Sequence, residues 1–145
     1  MESTDLQILR LLARDGRMSY TDIGRETGLS TSAAQQRVRR LEQRGVITGY
    51  RAVLDPAALG RPLMAIVELR AQDPSDDELV PGALAELPEV ESCYSVAGHA
   101  SHVLVVRVGT PLDLEGLLTR VRQRARVSTH TTLVLSVPFA DRPLA

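Results

Sequence analysis

Along the first third of the chain the apolar positions recur at helical spacing, in three short blocks punctuated by glycine. Leu6, Ile8, Leu9, Leu12 and Ala13 give the first block a broad apolar stripe, and Asp15-Gly16 closes it with a residue tolerant of the left-handed conformation. Thr4-Asp5-Leu6-Gln7 has the form of a capping box, in which the Thr hydroxyl and the Gln amide satisfy free backbone N–H groups, so a helix is predicted to begin there. Ser19 is placed to cap a second, short helix carrying Ile23 and Gly24 inward and ended by Gly28. Ser30 is placed to cap a third. Along it Ala34, Val38 and Leu41 fall at i, i+4 and i+7, and Gly45 stops it before Val46 and Ile47 return to the core.

After Gly49 the helical period vanishes. Tyr50 to Leu54 reads as an extended connector ended by Asp55-Pro56. Strands are predicted over Leu63–Leu69, Val90–Val96, His102–Val108 and Thr131–Val137, and helices over Leu79–Leu87, with Pro81 in the first turn, and Leu112–Ala125. The order β-α-β-β-α-β is the split βαβ arrangement, an antiparallel sheet with both helices on one face. Yet Leu63 to Val67 and Val103 to Val106 are apolar at consecutive positions, the pattern of strands buried on both sides. Something must cover the other face, and a second copy of the same domain in a two-fold dimer is the economical answer.

The expected fold class is therefore α+β. A three-helix, winged helix-turn-helix occupies residues 1–48, an extended linker 49–60, and a βαββαβ ferredoxin-like sandwich for dimerisation 61–145.

Gly24, Gly28 and Ala34 stand where two helices joined by a tight turn require small residues or a positive φ, which is the helix-turn-helix signature. With Ala34, Val38 and Leu41 inward, Thr31, Ser32, Gln35, Gln36 and Arg39 point outward, and Ser30 stands at the helix N-terminus. These groups suit a major groove: Gln pairs with adenine and Arg with guanine through two hydrogen bonds, while Ser and Thr donate or accept. Arg37, Arg40 and Arg44 flank that face and suit phosphates, as do Tyr20 and Thr21 at the start of the preceding helix.

Charge sharpens this picture. The chain as a whole is at −1, but residues 1–48 hold eight Arg against six acidic groups, and residues 49–145 nine Arg against twelve. Ser30 to Arg44 alone carries four Arg and one Glu, so the positive charge is concentrated on one element. A polar, Arg-rich face on an isolated helix is explained by solvation alone. Three linked helices whose third lacks an exposed acid before Glu42 point instead to double-stranded DNA, with a protein-docking module as the main competitor.

Hydrophobic residues at 43% and charged residues at 24% describe a globular chain able to bury a core, and aromatics at 3% disfavour base stacking on single strands. No leader-like segment and no long apolar run occurs, so a cytoplasmic protein without a membrane partner is expected. The single cysteine, Cys93, excludes an internal disulfide and is expected to be a packed thiol. His99, His102 and His130 with Cys93 invite an enzymatic or metal reading. No His pair shares a helix face and no acidic constellation accompanies them, so neither catalysis, metal nor cofactor is expected.

These residues together resemble the feast/famine regulators of the Lrp/AsnC family. The likeness is carried by Asp15-Gly16-Arg17, Gly28-Leu29-Ser30, Arg37-Val38 with Leu41-Glu42, Gly45-Val46-Ile47, Gly49-Tyr50 and Asp55-Pro56. The run Val90 to Gly98 resembles the family's sensor strand and loop, particularly in actinobacterial members. The resemblance implies a homodimer through the C-terminal domain, often assembled as a tetramer of dimers, with an amino acid bound between protomers. By matching positions, Ala97, Gly98, His99, Ala100 and Ser101 would line that effector site with Tyr94 beside it. Many members have aspartate where this chain has Ser101, and an aromatic or apolar residue where it has His102. The matching positions therefore offer no anion for an effector's ammonium, and an effector-independent regulator is the alternative reading.

Overall fold

The computed structural model describes residues 1–145 and divides into two compact units, Met1–Val53 with Phe139–Ala145 and Leu54–Pro138. The first unit holds α1 (Ser3–Arg14), α2 (Tyr20–Thr27) and α3 (Thr31–Gln43). Its core is Ile8, Ile23, Ala34, Val38 and Leu41, each at most 1% exposed, with Leu9, Leu12, Met18, Tyr20, Leu29 and Ile47 packed around them. The caps of α2 and α3 form as predicted. Ser19 Oγ accepts from the Asp22 N–H at 3.1 Å and Ser30 Oγ from the Ala33 N–H at 3.2 Å, each satisfying a donor that a helix start leaves free.

Two local expectations fail here. The Thr4 capping box does not form, because α1 begins a turn's fraction earlier with Glu2 as its cap residue and no side-chain cap bond. The wing is absent as well: no strand lies between Gln43 and Leu63, since the extended run after Gly49 finds no ladder partner within the chain.

The second unit is a four-stranded antiparallel sheet in the order β2-β3-β1-β4, built from β1 (Leu63–Ala71), β2 (Val90–Ser95), β3 (His102–Val108) and β4 (Val127–Val134). A 3₁₀ helix (Pro74–Leu79) runs into α4 (Val80–Leu84), and α5 (Pro111–Ala125) follows β3, giving the βαββαβ order expected. The predicted first helix is thus short and split, with Pro81 in its first turn. Strand β4 starts four residues earlier than predicted. Arg126 takes a left-handed conformation, φ 50°, and delivers Val127 directly opposite Ala71.

Ala65, Val67 and Leu69 of β1 and Leu104, Val106 and Val108 of β3 point to the helices, where Val80, Leu84, Leu117, Val121 and Ala125 complete the core. The alternate residues Met64, Ile66, Val103 and Val105 are apolar but only half-buried. The consecutive apolar runs are therefore a two-sided strand with one side covered. Cys93 departs from expectation: on edge strand β2 its thiol is exposed, though partial burial still pushes its pKa up.

Where α4 ends and β2 begins, Glu89 pairs with Arg120 of α5, which holds the Glu89 carboxyl below its ordinary value of 4.5. A depressed carboxyl stabilises the fold above its unfolded pKa, and that contribution is lost as pH falls through the folded value. Glu89→Gln should therefore lower the urea midpoint by a constant amount above pH 4.5, and the gap to the unaltered protein should close as pH is lowered further.

Candidate functional site

In the first unit the geometry is set by the contact between α2 and the turn after it. A Cβ on Gly24 would lie 2.5 Å from the Leu29 carbonyl oxygen, so the tight approach of the turn admits only glycine there. Gly28 at φ 73° ends α2, and Leu29 N–H then donates to the Gly24 carbonyl at 2.9 Å. These constraints fix the start of α3 at Ser30.

With Ala34, Val38 and Leu41 buried, Thr31, Ser32, Gln36, Arg39, Arg40 and Arg44 are exposed and Gln35 is half-buried. The N-terminal end of α3 is partly prearranged. Ser30 Oγ is shared between its capping bond and the Ser32 hydroxyl at 3.3 Å, and Thr31 Oγ1 lies 3.3 Å from Thr21 Oγ1 of α2. Tyr20 lies with its ring against the unit's core. A 13-residue helix with one hydrogen-bonding face of this kind is shaped for a major groove.

Arg37 is placed differently from its neighbours. Its Nη1 donates to Glu2 Oε2 at 2.7 Å and to Asp5 Oδ1 at 3.0 Å, and these two bonds push its pKa up. Asp5 is 2% exposed, and Arg40 approaches the same oxygen at 3.7 Å. A carboxylate this buried requires a cation, and Arg37 supplies it through Nη1. Arg37 thus ties α3 to α1 inside the chain, while Arg40 and Arg44 remain open to solvent. Asp5 was missed at the sequence level, although it stands one turn before Ile8 on the buried stripe.

In the second unit the loop from Val96 to Ser101 joins β2 to β3 and is closed by the Val96 N–H bonding the Ser101 carbonyl at 3.0 Å. Ser101 Oγ donates to the Leu69 carbonyl at 3.2 Å, so its hydroxyl is turned toward β1. His99 and Ala100 line a cavity of about 330 Å³ with Glu68, Leu69, Arg70, Ser128, Thr129 and His130. Tyr94, Ala97 and Gly98 are exposed and do not line it, and Ser101 borders it only through Leu69. The sequence reading missed the β1 and β4 walls, since a cavity joining distant strands has no local signal.

By sequence, residues 1–42 match the AsnC-type helix-turn-helix domain and residues 64–144 the Lrp/AsnC ligand binding domain. The chain belongs to the Lrp/AsnC family. It is 46% identical over 142 residues to the HTH-type transcriptional regulator LrpA of Mycobacterium tuberculosis, covering 98% of this chain and 95% of that one. It is 35% identical to the leucine-responsive regulatory protein of Haemophilus influenzae, over 93% and 84% of the two chains. Among solved structures it superposes with a TM-score of 0.92 on a feast or famine regulatory protein from M. tuberculosis complexed with L-methionine, at 47% identity over 97% and 96% of the chains. Like other Lrp/AsnC proteins it is a transcriptional regulator with a DNA-binding helix-turn-helix and a ligand-binding domain, and not an enzyme. No helix in it is long and apolar enough to cross a membrane.

Asp5→Asn should cost about 1–3 kcal/mol of stability, because the buried acceptor loses the charge that holds Arg37 and draws Arg40. Urea unfolding measures this, and Arg37→Lys should show a loss of similar direction, since the shorter, more strongly hydrated ammonium does not take the place of Nη1 between Glu2 and Asp5.

Proposed function

We propose that this regulator reads double-stranded DNA as a homodimer, with α3 of each protomer in the major groove, and that an amino acid held near the 96–101 loop changes its affinity for DNA or its assembly. The observation that carries the DNA reading is the facing of α3: Ala34, Val38 and Leu41 are sealed inside, leaving Ser32, Gln36 and Arg39 on the outer side with Thr31 and Gln35 beside them. Arg40, Arg44 and Thr21 suit phosphates on either flank. Arg37 has its guanidinium committed to Asp5 and Glu2, so its role is to hold α3 in place.

The dimer reading rests on the half-buried row Met64, Ile66, Val103 and Val105, which no segment of the second unit covers. An apolar sheet face is stabilised by a second copy of itself, and the two-fold axis then matches a pseudo-palindromic site. Dimers of this kind can assemble further into a tetramer of dimers. The amino-acid reading is supported by the L-methionine bound to the M. tuberculosis relative and by the cavity beside His99 and Ala100. The effector acts only through unequal affinity for two states of the protein. The setting is the cytoplasm, where the DNA and the amino-acid pool lie.

Arg39→Ala should relax base preference at one operator position and cost about 1–3 kcal/mol there. Arg44→Ala should weaken binding evenly across sequences and lower the salt slope by about one. Competitive binding selections followed by affinity measurements over a salt series separate the two. Unchanged sequence preference in Arg39→Ala would contradict the facing of α3.

A further inference from the structure

Two of the charged clefts of the second unit differ in whether their charges are already used. In the cleft between the start of α5 and the turn around Gly60, every arginine has a partner. Arg61 donates to the Pro88 carbonyl at 2.8 Å, Arg107 pairs with Glu91 at 2.7 Å, and Arg120 pairs with Glu89. In the cavity beside His99, Glu68 and Arg70 stand two residues apart on β1 and take part in none of the six ion pairs of the structure.

Strand geometry puts these two on the same face, away from the α4 and α5 core, with Cα atoms roughly 6–7 Å apart. Glu68 pairs in register with His130 and Arg70 with Ser128, so the acid and the base both stand over β4. The floor of the cavity, at Leu69 and Ala100, is apolar and closed, with Leu69 fully buried and Ala100 7% exposed. Ser101 adds no charge to the cavity, and its one hydroxyl proton is donated to the Leu69 carbonyl.

A half-buried carboxylate and a guanidinium, both unpaired, at the rim of a cavity of about 330 Å³ complement a small molecule that carries an ammonium and a carboxylate on one carbon. We propose that Glu68 and Arg70 form the head-group clamp of the effector site: Glu68 accepts hydrogen bonds from the α-ammonium of a free amino acid and Arg70 donates to its carboxylate. This rests on the amino-acid reading above and adds to it the residues that discriminate a free zwitterion from a blocked amino acid or a peptide. Both charges must be present on the ligand, so peptides and N-acylated amino acids are excluded by desolvation of an unpaired Glu68.

The test uses the full chain, screened by thermal shift and then calorimetry against the common L-amino acids, L-methionine first, with the N-acetyl derivative and the amide of the best binder as controls. The unaltered protein should prefer the free amino acid to either derivative by about tenfold or more, the size of one charge-assisted bond. Glu68→Gln should abolish the preference over the N-acetyl form but keep that over the amide, and Arg70→Gln should do the reverse. Melting curves of both ligand-free variants check that they are folded. If Glu68→Gln and Arg70→Gln keep the full preference, the clamp assignment is wrong while the amino-acid reading stands. If no amino acid binds the unaltered protein, the amino-acid reading fails and the clamp fails with it.

Discussion

The second unit is organised by an inequality between the two faces of its sheet. Leu104, Val106, Ala65 and Val67 are sealed under α4 and α5, whereas Met64, Ile66, Val103 and Val105, one residue out of phase, are only half-covered. With about 25 cal/mol for each Å² of apolar surface removed from water, that second row is a standing drive toward association. The proposed dimer, its two-fold reading of DNA and an effector site at the rim of the same face are all tied to that drive. Glu68 and Arg70 lie on the same face as the apolar row, so whatever covers the row also governs the dielectric around them.

The first unit solves a different problem, that of presenting a polar helix in a fixed orientation from a very small core. Five fully buried side chains hold it, helped by the Gly24 approach to Leu29 and by a buried carboxylate. Asp5 takes a position on α1 where an apolar residue would serve packing, and in exchange it fixes Arg37 and leans toward Arg40. A buried ion pair is weak evidence of net stability but is well suited to setting register. Here the register is that of α3, the helix proposed to enter the groove. Tyr50 adds a second tie, with its ring against Gly16 and its hydroxyl donating to Glu42 at 2.9 Å; burial first, and then that bond, push its pKa up to about 12.

Much of this was legible from local patterns. The caps at Ser19 and Ser30, the left-handed Gly28, the inward triplet of α3 and the β-α-β-β-α-β order are properties of a few neighbouring residues, and all are in the structure as read. What was not legible depends on partners far along the chain. Thr4 looks like a helix cap, yet Glu2 and Asp5 are drawn to Arg37 and the helix starts upstream of it. Val127 to His130 lie before the strand predicted from Thr131, yet they open β4, alternating between the open and the core side against β1. Cys93 sits among apolar letters but on the sheet's edge strand, where half its surroundings are solvent. The walls of the cavity, Glu68 and Arg70 on one strand and His99 on a loop 29 residues beyond Arg70, meet only in three dimensions.

If the half-covered sheet face pairs two protomers and pairing is needed to hold DNA, Val105→Glu should break both, as read by light scattering with operator affinity measured on the same samples. The half-exposed position tolerates a glutamate in an isolated unit, so far-ultraviolet circular dichroism should remain that of a folded α+β chain. The expected result is a mass halved relative to the unaltered dimer, with operator binding reduced to the weak, salt-sensitive level of a single helix-turn-helix. A folded variant that keeps the dimer mass would contradict it, and so would a monomer that binds the operator as tightly as before.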